Sequence, residues 1–368
     1  MTSRTRPVRP PAPEPPAIQP PSGPRRRQLA VVGLVLALAA ATVGYVLVER
    51  EKVLAQAAAA PTGTRADLTS VLAVPHVVFR STALDPSYGK VSAVRLDDPA
   101  GLRAVTEVNC DRVYSAAERY LCLSTDQGIV TSYAATLLGE DLRPTGALPL
   151  SGLPSRARLS SDARFSTTTA FVSGHSYAAV GFSTETLLTD VDRDVTTNLE
   201  EFTLRVQGRV RDDADRNVWG VTFADQDTFY ATAASGGKTW LVRGSLRGRS
   251  LTALREDAEC PSLSPDRSTI VYKVRGNRPA GQWRLAAYDL STGTETVLAG
   301  DRSVDDQAEW LDDEHVLYGL PRAGSDAAVT DVWSVRVDGT GVPKLLIPQA
   351  WSPSVVLTPG RAQDVAAT

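Results

Sequence analysis

The chain has 368 residues, with 39 Lys and Arg against 42 Asp and Glu, three His and three Cys. That length allows two or three ordinary domains, or one large all-β domain with appendages, and three Cys exclude a disulfide-dense mini-scaffold. Residues 1–27 hold six Arg and one acid, so the rest is net acidic by eight charges, a poor match for nucleic acid, whose phosphate contacts need clustered Lys and Arg.

Residues 1–28 contain nine of the 24 prolines and almost no apolar side chains. They cannot bury enough surface to offset ordering entropy, so a disordered Pro/Arg-rich tail is expected. Leu29 to Val48 is an uncharged run rich in Leu, Val and Ala, long enough as a helix to cross about 30 Å of hydrocarbon. Arg25, Arg26 and Arg27 precede it and the neutral set Glu49, Arg50, Glu51, Lys52 follows. The positive-inside rule then puts the tail in the cytoplasm and everything after Val48 outside, at the plasma membrane in a single pass. A signal peptide cleaved near Ala55-Gln56-Ala57 is the rival reading. Residues 49–73 read as an extracytoplasmic linker, with an alanine run and Pro61-Thr62-Gly63-Thr64.

From Val74 the pattern is short β runs, such as Val77-Val78-Phe79, Tyr120-Leu121-Cys122-Leu123 and Thr269-Ile270-Val271-Tyr272, parted by Gly, Asp, Pro and Ser. Many antiparallel strands follow from this spacing. Three windows repeat. Tyr230, Tyr272 and Tyr318 fall on the expected second strand of each repeat, and Trp240, Trp283 and Trp333 on the third. A four-stranded blade needs about 40–50 residues, which these intervals match. Weaker copies begin at Cys110, at Arg158 and around Val77. Trp351-Ser352-Pro353 starts a further repeat that is never completed, and is expected to return and complete blade one. Residues 74–358 then form a six-bladed β-propeller, roughly 47 residues per blade, and residues 359–368 a disordered C-terminal tail.

Ser264-Pro265-Asp266-Arg267, Ile270-Val271-Tyr272 and Asp289-Leu290-Ser291-Thr292-Gly293 resemble the TolB-type propeller repeat, with Arg267 where that repeat has Gly. The blade from Trp310 to Gly339 is the next best copy, and the resemblance is specific over residues 216–345. With the anchor and the Cys110/Cys122 layout, the chain is similar to membrane-anchored actinobacterial TolB-like proteins. The helical N-terminal domain of TolB itself has no counterpart in the sequence. The resemblance implies the fold and leaves the role open.

Cys110 and Cys122 read as lying on adjacent antiparallel strands of blade two, within disulfide reach; two buried free thiols are the alternative, and Cys260 is left over, buried beside Pro261. Gly174-His175-Ser176-Tyr177-Ala178 mimics a nucleophile elbow but lacks the helix and hydrolase domain it needs. Asp190, Asp192, Asp194 and Glu201 have the spacing of a Ca²⁺ loop, but Val195 stands where a Gly is required, so a solvated hairpin is expected. Gly237-Lys238-Thr239-Trp240 is half of a sialidase Asp-box and structural in either case.

One constellation depends on the fold. Innermost strands of a propeller line its axis, so Asp213, Asp215, Asp257, Glu259, Asp305, Asp306 and Glu309, which lead into successive innermost strands, are the candidate binding acids of a channel mouth. Ordinary solvated loop acids are the competing reading. No cofactor is expected beyond a weakly held divalent cation at that mouth. The function expected is a non-enzymatic binding or scaffolding module for an envelope protein or ligand. A glycan- or peptide-acting hydrolase or lyase using the mouth carboxylates, and a transmembrane sensor, are the alternatives.

Overall fold

The structure is a computed structural model that describes residues 29, 31–45, 65–128, 130–172, 183–324 and 327–357. The chain divides into two compact units, residues 1–59 and 60–368. In the first, residues 31–45 are helical, with Val31, Leu34, Leu38 and Tyr45 exposed and Thr42 Oγ1 donating to the Leu38 carbonyl at 2.8 Å. Among the described residues no helix is long and apolar enough to cross a membrane. The expected tails, Ala30 and residues 46–48 of the expected span, residues 49–64 of the linker, and the Gly174–Ala178 segment lie outside the described residues.

The second unit is a ring of six blades. Blade one takes β1 (His76–Ser81), β2 (Lys90–Arg95) and β3 (Ala104–Asn109); blade two is β4 (Arg112–Ala116), β5 (Arg119–Gln127), β6 (Thr131–Leu138) and β7 (Pro144–Leu148). Blade three is β8 (Leu153–Leu159), β9 (Phe165–Val172), β10 (Ser183–Asp190) and β11 (Val195–Asn198). A 3-10 turn, Leu199–Glu201, and the hairpin β12 (Thr203–Val206) and β13 (Arg209–Arg211) precede blade four, which is β14 (Asn217–Phe223), β15 (Thr228–Ser235), β16 (Lys238–Ser245) and β17 (Ser250–Glu256). Blade five is β18 (Glu259–Leu263), β19 (Thr269–Val274), β20 (Arg284–Asp289) and β21 (Glu295–Val297). Blade six is β22 (Glu309–Trp310), β23 (His315–Pro321), β24 (Thr330–Arg336) and β25 (Lys344–Ile347). The last strand, β26 (Ala350–Val356), returns to β1 as the innermost strand of blade one. The ring therefore closes through Trp351 as the sequence predicts.

Each blade has two apolar faces, and the neighbouring blades cover them. Six apolar clusters result, each drawing on two adjacent blades. Phe79, Phe229 and Tyr272 are fully buried in three of them, each worth about 1.5–3 kcal/mol by area removed from water. Tyr230, Tyr272 and Tyr318 lie on second strands, and Trp240 and Trp333 on third strands. Trp283 stops one residue short of β20. Trp351 packs against Gly319, where any Cβ would strike its ring.

Two features depart from the sequence reading. The short helix Leu68–Leu72, capped by Asp67 Oδ2 accepting the Ser70 N–H at 2.8 Å, lies within the stretch read as linker. Its Val71 is buried in the cluster between blades one and two, so the packed unit begins before Val74. The insertion after blade three was not foreseen. Its Leu199, Phe202 and Leu204 fill the seam between blades three and four, and β12 pairs parallel with β17, extending blade four to six strands.

Strand order fixes two rims. In an antiparallel blade the start of the first strand and the turn between the second and third share one rim. On this rim Asp215 Oδ2 accepts the Gly236 N–H at 2.8 Å and Asp257 Oδ2 the Gly276 N–H at 2.7 Å. His76 and Val356, where the chain joins and leaves the ring, pair with each other at the opposite rim.

Candidate functional site

The axis is filled by charged side chains from innermost strands, which alternate into it with period two. Arg158 on β8 donates from Nη1 to Glu309 Oε2 at 2.8 Å and from Nη2 to the Ala308 carbonyl at 2.7 Å and Ser262 Oγ at 3.3 Å. Its guanidinium lies 4.3 Å from the Tyr114 ring centroid. Glu309 Oε1 accepts the Val355 N–H at 3.2 Å. Beside it, Gln307 Nε2 donates to the carbonyls of Val221 and Pro261 at 3.2 and 2.7 Å. Arg158, Glu309 and Gln307 thus tie together the innermost strands of all six blades.

A second layer sits toward the rim that bears Asp215 and Asp257. Arg112 on β4 donates to Asp306 Oδ1 at 3.1 Å and stacks 4.8 Å from the Trp351 ring. Asp306 Oδ2 accepts the Gly319 N–H at 3.0 Å. Lys273 Nζ is 2.6 Å from Asp305 and 3.7 Å from Glu259, and lies over the Trp283 ring at 4.2 Å. Arg156 approaches Asp305 at 3.8 Å. Burial brings the Arg112 guanidinium down to about 10, with Arg156 adding to the effect. Burial raises the Glu309 carboxyl against the pull of Arg158.

The seven candidate acids therefore fall into separate sets rather than one ring. Asp306 and Glu309 are buried and face guanidinium groups. Glu259 and Asp305 share Lys273, and Asp305 remains 65 % exposed. Asp213 and Asp215 both accept from Ser235 Oγ, at 2.8 and 3.0 Å, and Asp257 holds the Arg275–Gly276 turn. Each carboxylate has found a local donor. What the sequence reading missed is the basic set Arg112, Arg156, Arg158 and Lys273. The signal was present in part, since Arg158 opens one of the weaker repeats and Arg112 stands two residues into another, although β8 itself begins earlier, at Leu153.

Among the described residues no group of three His, Cys, Asp or Glu side chains is disposed to hold a metal ion. The Asp190 segment is the expected hairpin: Asp190 is bound by Arg164 at 2.9 Å, while Glu201 pairs with Arg249 at 3.1 Å. Gly236 and Gly237 form the turn of blade four before Lys238. Cys110 and Cys122 form a disulfide with Cα atoms 5.4 Å apart. Cys110 lies in the connector before β4 and not on that strand, because β4 begins only at Arg112. Cys260 is buried with a free thiol.

A cleft of about 380 Å³ opens at the seam of blades three and four, on the rim of Asp215. Glu185, Glu200, Asp212, Asp213 and Asp215 line it, and among the described residues Arg216 is the one base there. The 3-10 turn Leu199–Glu201 carries Glu200 inward, and burial pushes its carboxyl up to about 7, although hydrogen bonds from Thr186, Val218 and Thr184 favour the charge. Electrostatically the cleft suits a cationic group.

No protein-family model matches this chain, and no curated protein matches it. Among solved structures, TolB from Acinetobacter baumannii is similar with a TM-score of 0.53 at 16 % identity, covering 77 % of this chain and 67 % of that one. A putative TolB from Agrobacterium tumefaciens aligns with a TM-score of 0.46 at 10 % identity over 76 % of this chain and 90 % of that one. The β-propeller domain of the Trilobed protease from Pyrococcus furiosus aligns with a TM-score of 0.37 at 13 % identity over 63 % and 69 %. The fold is that of a TolB-like six-bladed propeller.

Proposed function

We propose that this chain is a membrane-tethered, extracytoplasmic propeller serving as a non-enzymatic binding or scaffolding module of the cell envelope, whose partner is an envelope protein or ligand. The observation that carries the reading is the bonded axis. With Arg158, Glu309 and Gln307 joining all six innermost strands, the propeller is a rigid ring that offers its rims. Carboxylates engaged by Arg112, Arg158 and Lys273 also favour binding over acid–base catalysis, which needs a carboxyl free to exchange protons with a substrate.

The docking rim is the one bearing Asp215, Asp257 and the acidic cleft. Strand β1 begins and β26 ends at the opposite rim. The proposed role calls for no cofactor. Its test is in-cell cross-linking and co-purification with the full chain, beside protease accessibility in intact cells. A discrete partner lost in the Glu185→Gln/Asp212→Asn variant, with the propeller cleaved from outside, is expected. An unchanged partner set in that variant would overturn the docking rim, and a protected propeller the topology.

A further inference from the structure

The insertion between blades three and four creates a sheet edge of its own. Strand β12 pairs parallel with β17 and antiparallel with β13, so β13 is the outer edge of a six-stranded blade, where the other blades have four strands among the described residues. Leu204 anchors the hairpin in the seam of blades three and four. Beyond that anchor Arg209, Val210 and Arg211 are all exposed, Val210 to 54 %.

Register decides what this edge offers. Gln207 and Gly208 both have positive φ, 50° and 76°, the backbone of a two-residue hairpin turn. Such a turn closes on a hydrogen-bonded pair, here Val206 and Arg209. Antiparallel pairs alternate, so Arg205 and Val210 form a pair without hydrogen bonds, and the Val210 N–H and C=O point away from β12. They stand at the open edge, where a further strand would meet them. Residues paired across two strands share a face. Arg209 and Arg211 therefore lie on the face of Val206 and Leu204, and Val210 on the other face with Arg205. Arg211 meets Asp213 at 3.0 Å on the exposed surface, while among the described residues no ion pair engages Arg205 or Arg209.

Charge selects the occupant. A second copy pairing edge to edge would set Arg209 and Arg211 beside their own duplicates, and like charges across a strand pair destabilise it. Edge charges keep unwanted strands away, and an acidic strand is the one that these admit. We propose that β13 is a docking edge for a short, extended acidic segment of a partner protein, which adds an antiparallel seventh strand to blade four. Backbone pairing with Val210 gives the segment its place. Its side chains beside Arg209 and Arg211 are carboxylates, and the one between them, opposite Val210, is apolar. Carboxylates carried past Arg211 would meet Asp212 and Asp213, which keeps the acidic stretch short. This edge takes an anionic strand and the neighbouring cleft a cationic group, so the two surfaces stand or fall separately.

Fluorescence anisotropy of the full chain with a labelled peptide of alternating Glu and Val tests this. Binding is expected at low salt, weaker at high salt, and absent for the matching peptide of Lys and Val. Arg209→Glu should weaken binding by about tenfold. Val210→Pro, which removes the outward N–H and leaves the inner bonds of Arg209 and Arg211 in place, should do the same. A Glu and Val peptide N-methylated at each Val keeps its charge and loses the N–H groups that face Val210, so it should bind wild type about tenfold more weakly. Equal binding by the two acidic peptides, binding unchanged in Arg209→Glu, or no binding would each overturn the proposal. A dimer of the full chain that dissociates in Val210→Pro would overturn it in favour of a second copy. Should Val210→Pro fail to fold, the two acidic peptides on the wild-type protein decide alone.

Discussion

Arg158 of blade three and Glu309 of blade six meet across the propeller axis at 2.8 Å, although 151 residues separate them in sequence. Both are buried, and each is satisfied by further donors or acceptors from other innermost strands. The pair works as a hub, because removing either partner leaves a charge with no solvent to take it.

Arg158→Met should therefore destabilise the protein by about 3–5 kcal/mol, the usual loss when one member of a buried ion pair is removed. The double variant Arg158→Met/Glu309→Leu should recover most of that loss. Urea unfolding of the three proteins measures it. If the single variant lost less than the double, the hub would not be a coupled pair.

Gly319→Ala should disturb ring closure. The added methyl meets the Trp351 ring, against which the Arg112 guanidinium also lies. Overpacking of this kind costs about 1–3 kcal/mol. The readout is a lower thermal midpoint with altered tryptophan emission, and an unchanged midpoint would mean that β26 has room to shift.

Reducing the Cys110–Cys122 bond opens a short loop that joins the blade-one connector to β5. A loss on the order of 2–3 kcal/mol is expected. Alkylation of unreduced, unfolded protein should label one thiol, Cys260, and alkylation after reduction three. Three labels without reductant would exclude the bond.

His76 should make the protein acid-sensitive. It is buried, with Nδ1 donating to the Val74 carbonyl at 2.7 Å and Nε2 facing the Tyr120 hydroxyl at 3.4 Å. Burial lowers its pKa below the ordinary histidine value. The unfolded chain then binds the proton more readily, so stability is lost as pH falls below about 6.5 toward the lowered folded value. Glu200 acts in the opposite sense over an overlapping range, so the comparison belongs in a Glu200→Gln background. There, thermal midpoints should fall between pH 7 and 5, and adding His76→Gln should flatten the slope.

Most of the ring was legible because blade repeats leave aromatic marks. Tyr230, Tyr272, Tyr318 and Trp351 each fill a seam position that only a neighbouring blade can cover, so their spacing reported the architecture directly. The insertion at residues 199–211 left no such mark, since Leu199, Phe202 and Leu204 belong to no repeat and reach the core by lengthening a turn. The axial charges were half legible. Acids before innermost strands could be seen to approach the axis, but which of them would meet Arg112 or Arg158 depends on pairings across 194 and 151 residues, and which would meet Lys273 on a pairing across 32. The partners of Glu200 were illegible for a different reason. They are backbone amides, exposed to it only because β11 ends at Asn198.

The most direct test of the docking rim uses a photo-activated cross-linking residue placed in the full chain in cells, at Asp212 beside the cleft or at Asp313 on the opposite rim. The account predicts a discrete cross-linked partner from position 212 that disappears when Glu185→Gln is added, and none from position 313. A partner captured from position 313 alone, or equally from both positions, would contradict it.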